Sequence, residues 1–129
     1  MALPVNHPFS DIFMTTVAAD VASGRSGFVR SPVRGKIVRI GTIIGAAVTT
    51  ADATITTSIA GTAITGGAFT ITQSGSAAGD EDYASTDGSG NATITALNSV
   101  NEGDLIKWAV TGTGGGGGTL QCYVNIVRA

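Results

Sequence analysis

The segment LIKWAVTGTGGGGGTLQCYVNIVR, residues 105 to 128, decides between two incompatible folds. It carries five consecutive glycines, Gly114 to Gly118, and reads literally as G-x-G-x-x-G at Gly112, Gly114 and Gly117. A dinucleotide fingerprint needs a strand before the glycines and a helix after them, because the helix N-terminus holds the pyrophosphate. The first requirement is met: Ile106, Trp108 and Val110 fall on one side of an extended segment, with Lys107 on the other. The second fails. After the glycines, Leu120, Cys122, Val124 and Ile126 alternate with Gln121, Tyr123 and Asn125, which is the period of a strand. No acidic residue follows at the spacing that a ribose-binding carboxylate requires. The segment therefore reads as two antiparallel strands joined by a glycine loop. A run so poor in side chains has high entropy, so the loop is expected to be mobile.

Outward from this pair, the same period recurs. In KIVRIGTII (36 to 44) it places Val38, Ile40, Thr42 and Ile44 on one face. ATITTSI sets Ile55, Thr57 and Ile59 against Thr54, Thr56 and Ser58, and AFTIT sets Phe69 and Ile71 against Thr70 and Thr72. NATITAL aligns Ala92, Ile94 and Ala96. Residues 12 to 23, IFMTTVAADVAS, carry both periods, and the β-branched composition of FMTTV tips them to strand. Short alternating segments separated by Gly, Asn, Asp and Ser predict an all-β, jelly-roll-like antiparallel β-sandwich. The domain is expected to span residues 12 to 129. Residues 1 to 11, with Pro4 and Pro8, read as an extended N-terminal arm, since proline removes a donor and holds its predecessor extended.

The totals agree with one domain: 129 residues, 43% hydrophobic and only 12% charged, about half the usual charged share. A net charge of -2 disfavours a general nucleic-acid binder, which needs a basic surface to displace counterions. The opening MALPVNHPFSDIF lacks a basic region followed by an apolar run, and no stretch reaches the roughly 18 apolar residues of a membrane span. A soluble protein made in the cytoplasm, without membrane partner, is the expectation.

Residues that could carry chemistry are few. His7 stands alone, with no nucleophile elbow, zinc motif or cysteine partner, and reads as a surface or interface residue. Cys122, the one cysteine, falls on an inward face, where it acts as a small apolar side chain. Asp80, Glu81, Asp82 and Asp87 lie in GDEDYASTDGSGN without the alternating oxygen pattern of a calcium loop, so a solvated acidic loop is expected. The sequence thus predicts no enzyme, no cofactor and no metal site. The basic residues are more informative. Arg25, Arg30, Arg34, Lys36 and Arg39, five of the seven, fall within fifteen positions. They read either as the solvent side of one strand and its turn, or as a patch that docks on an acidic protein surface, a role that suits the arginine fork. Phe9 and Phe13 are candidate apolar anchors, because aromatics tend to carry interface energy.

Two stretches, SPVRGKIVRIGTIIGAAVTTADATITTSIAG and VNEGDLIKWAVTGTGGGGGTLQCYVNIVR, resemble the small β-sandwich decoration, or cement, proteins on the outside of tailed-bacteriophage capsids, and some head-fibre proteins. The resemblance spans roughly residues 28 to 129. Its markers are the S-P-V-x-G-x-I strand entry, the Thr/Ala/Gly-rich middle, and V-N-E-G-D-L-I before the glycine loop and final strand. It implies a virion protein, often a homotrimer, that clamps neighbouring major capsid protein subunits after shell expansion. In that setting His7, Phe9, Phe13 and the five basic residues are the expected capsid or subunit contacts. A carbohydrate-binding or host-adsorption module is the alternative. It would need exposed aromatics along a face, and only seven exist, with Trp108 expected inside.

Overall fold

The computed structural model describes residues 11–18, 21, 24–112, 115–116 and 118–128. Among these there is no helix. Eleven strands follow in order: β1 (Asp11–Ala18), β2 (Ser26–Arg30), β3 (Gly35–Ile44), β4 (Ala53–Ile59), β5 (Thr62–Ala63), β6 (Phe69–Ile71), β7 (Glu81–Ser85), β8 (Ala92–Thr93), β9 (Ser99–Val100), β10 (Leu105–Gly112) and β11 (Leu120–Arg128). Of residues 12 to 23, expected as strand, 12 to 18 are strand and Val21 is a bend, while 19, 20, 22 and 23 lie outside the described residues. The expected arm, apart from Asp11, lies outside the described residues.

The strands form two sheets. One runs β1-β11-β3-β7-β8, with β9 also on β3; the other runs β2-β10-β4-β5, with β6 also on β4. All pairings are antiparallel except β7 with β8. The first four strands alternate between the sheets, and β1 pairs with the last strand while β2 pairs with the last but one. This nested order is that of a jelly-roll-like sandwich. The two strands of the opening segment, β10 and β11, consequently lie in different sheets rather than forming a hairpin with each other.

The inward faces are those the alternation predicts for β4, β6, β10 and β11. Ile55, Ile59, Phe69, Ile71, Ile106, Trp108, Val110, Leu120, Cys122, Val124 and Ile126 are all buried in one core. Each large side chain so placed contributes roughly 1.5–3 kcal/mol relative to exposure. Two expectations are corrected. In β3 the inward residues are Ile37, Ile40, Thr42 and Ile44, not Val38. The register with β11 passes from Arg39–Asn125 to Ile37–Ile126, so Val38 is the extra residue of a β-bulge. A bulge reverses the alternation locally. In residues 92 to 96 the strand stops at Thr93; Ile94 is buried, while Ala96 is exposed and only bridges to Thr65. Tyr123 points outward as predicted yet is only 3% exposed.

The glycine loop has backbone partners elsewhere in the chain. Among its described residues, Gly116 bridges to Val48, and the Gly115 carbonyl accepts the Thr49 N–H at 2.8 Å. The Thr119 carbonyl accepts the Gly45 N–H at 3.1 Å. These described residues lie against residues 45 to 49.

Candidate functional site

The outer face of the first sheet is where unexplained side chains collect. Register defines it in rows across β1, β11, β3 and β7: Phe13–Asn125–Arg39–Ser85, Thr15–Tyr123–Gly41–Tyr83 and Val17–Gln121–Ile43–Glu81. In β1 the odd residues face outward because Ile12 and Met14 pack towards the core. Phe13 is consequently 64% exposed and Val17 58%.

Tyr123 is the centre of this face. Phe13 stacks on it from β1, with ring centroids 5.5 Å apart and planes 21° from parallel. Its hydroxyl donates to Glu81 Oε2 on β7. Gly41 makes the geometry possible, since a Cβ there would stand 2.7 Å from the Tyr123 hydroxyl and 2.5 Å from Tyr83 Cβ. Burial, and then the Glu81 carboxylate that accepts its proton, push the Tyr123 phenol well above the usual tyrosine range. Arg39 lies beside it: its guanidinium carbon is 3.7 Å from the Tyr83 ring centroid, and Nη2 is 3.9 Å from Glu81 Oε1. Such a cation over an aromatic face is worth roughly 0.5–1 kcal/mol at a surface. Two polar atoms of this face, Arg39 Nε and Asn125 Oδ1, are enclosed without a hydrogen-bond partner, although their residues are paired in register. An enclosed, unsatisfied polar group costs roughly 1–3 kcal/mol.

The candidate residues separate. Phe13 and Arg39 come together on this face, linked through Tyr123. Lys36 lies on the same strand as Arg39, with Arg34 just before it, and both are exposed. Arg128, at the end of β11 opposite Gly35, joins them at this end of the sandwich. Arg30 reaches the same end from β2 in the other sheet, and its Nη1 donates to the Gly103 carbonyl at 2.9 Å. Arg25 lies at the opposite end of β2, where its carbonyl accepts the Val110 N–H. The basic run is therefore divided between two sheets. His7 and Phe9 lie outside the described residues.

The acidic segment is organised internally. Asp87 accepts from the Ser89 hydroxyl (2.7 Å), the Ser89 N–H (3.0 Å) and the Ser85 hydroxyl (2.8 Å), and these bonds lower its pKa to about 2. Asp82 accepts from Asn91 Nδ2 at 3.1 Å, but burial, opposed by that bond, holds its pKa above the usual value. Among the described residues no three His, Cys, Asp or Glu side chains are grouped as metal ligands. Nor is any described helix long and apolar enough to cross a membrane.

Sequence reasoning did not single out Tyr123, Tyr83, Glu81 or Val17 for this face. The signal was available only in part. Alternation sends Tyr123 outward and puts Val17 on the side of Phe13, but no spacing in the sequence sets β7 beside β3. No protein-family model, curated protein or solved structure matches the chain.

Proposed function

We propose that this chain is a decoration protein of a tailed-phage head, which binds the outside of the expanded shell and bridges major capsid protein subunits without catalysing a reaction. The observation that carries the reading is the outer face of the first sheet. There Phe13, Val17 and Arg39 expose aromatic, aliphatic and guanidinium surface in one patch, with the buried Tyr123 ring stacked under Phe13. Aromatic and arginine side chains are the residues that dominate protein–protein binding energy. The specific partner rests on the resemblance of residues 28 to 129. A ligand that binds only the assembled shell stabilises it by RT ln(1 + [L]/Kd) per site, and repetition over a closed lattice adds avidity.

Co-sedimentation of the purified chain with expanded shells tests this. Saturable binding with a raised shell melting temperature is expected, and Phe13→Ala should lower the affinity about 30-fold, as loss of a roughly 2 kcal/mol anchor does. Binding to a glycan array with no binding to shells would overturn the reading in favour of a carbohydrate-recognition module.

A further inference from the structure

The other free edges of the sandwich are short, but β1 is not. β8, β5 and β9 have two residues each, β6 three and β2 five, while β1 runs for eight, paired to β11 without a register shift. Among the described residues no strand pairs with its second edge. Proteins blunt exposed edges with prolines, lysines, bulges or brevity. Residues 12 to 18, IFMTTVA, contain no proline and no charge, and β1 has no bulge. Ile12 and Met14 pack against the core yet remain only partly buried.

We propose that β1 is the seam of a two-fold homodimer, in which it pairs antiparallel with β1 of a second copy about Thr15. The occupant follows from the sequence of the strand. With Thr15 opposite Thr15, each Phe13 faces Val17 of the second copy on the outer face, Met14 faces Thr16, and Ile12 faces Ala18. This register covers the two large exposed apolar side chains of β1 with each other, and directly opposed apolar pairs are what stabilise a sheet. Centring on Met14 or Thr16 instead breaks both Phe13–Val17 pairs. Because the segment is uncharged, the two-fold sets no like charges opposite one another. The size is also adequate. Seven paired residues give a seam about 24 Å long, and two sheets with their side chains give a side roughly 20 Å wide. Both copies together would cover on the order of 1,000 Å², the lower bound for a specific interface. The two sheets that contain β1 then become one, with both Phe13–Tyr123–Arg39 faces on the same side. This inference concerns the free protein and does not depend on which surface that face binds.

Sedimentation equilibrium of the full chain at micromolar concentration tests it, with a species of twice 12.8 kDa expected. Thr15→Lys should give the single-chain mass with an unchanged β circular dichroism spectrum, because the two-fold sets two lysines directly opposite each other. Thr15→Cys should form an oxidised, cross-linked dimer, because residues directly opposed in a sheet lie within reach of a disulfide. Phe13→Cys should not, since its two thiols would stand four positions apart, about 14 Å. The native Cys122 is fully buried and leaves this readout clear. A single-chain mass for the unaltered protein, a three-chain mass, or a dimer in which Thr15→Cys fails to cross-link would each overturn the proposal.

Discussion

Gly41 shows how one residue without a side chain organises the outer face. The phenol of Tyr123 and the ring of Tyr83 close over it from the strands on either side, and Arg39 and Glu81 fill the space beside them. Gly41→Ala would place a methyl 2.5 Å from Tyr83 Cβ and 2.7 Å from the Asp82 carbonyl, so a strand or a ring must shift. Overpacking of this kind costs roughly 1–3 kcal/mol. A lowered denaturation midpoint, with changed tyrosine fluorescence, is the expected result. Titration behaviour gives a second prediction at this scale. The Asp82 pKa is raised in the folded state, so its proton adds stability at low pH, and that stability is lost as pH rises through the folded value. Asp82→Asn should therefore melt higher than the unaltered chain at pH 7, with the gap closing near pH 3. Asp87 has the opposite sign: its lowered pKa adds stability above the usual aspartate value, lost as pH falls from about 4 towards 2. Thermal melts across this range separate the two carboxylates. Neither sign could be read from GDEDYASTDGSGN, because burial and hydrogen-bond partners decide both.

Single elements were legible to the degree that they obeyed a strict period. β4, β6, β10 and β11 present the predicted residues to the core, and nothing outside the strand itself was needed to see it. β3 fails at one position, Val38, because a bulge is a property of the pairing with β11 and leaves no mark in the composition of KIVRIGTII. The glycine loop is a different case. Entropy argues for mobility, but residues 45 to 49 supply partners that a reading of the loop alone could not foresee. The consequence can be measured. Gly116 has φ +67, and a Cβ there would stand 2.9 Å from Thr49 Cγ2 and 3.0 Å from the Ala47 carbonyl. Gly79 has φ +90 but open space around it. Both alanine substitutions bear the cost of a left-handed backbone, roughly 1 kcal/mol. Gly116→Ala bears the steric cost too and should be the more destabilising of the two in chemical denaturation. Equal midpoints would mean that the contact with Thr49 yields without cost.

Across the whole molecule, charge is divided by position along β3, whose ten residues span about 33 Å. Arg30, Arg34, Lys36 and Arg128 gather where the strand begins. Asp52, Asp80, Glu81 and Asp82 gather where it ends, around the open depression that the last three help to line. Arg39 belongs to neither group, being held midway between Tyr83 and Glu81. The fifteen-residue basic run therefore contains two kinds of arginine that the sequence presents as one. Exposed charges at an end act at long range on encounter and are screened by salt, whereas a guanidinium inside a packed contact acts on dissociation. On immobilised shells, Arg30→Ser with Arg34→Ser should reduce the association rate several-fold at low salt and very little at about 0.5 M, where the screening length falls to a few ångströms. Arg39→Ser should raise the dissociation rate at both salt concentrations. Surface plasmon resonance resolves the two rates. If the double variant associates normally at low salt, the end cluster is a solvated rim and docking rests on the aromatic face alone.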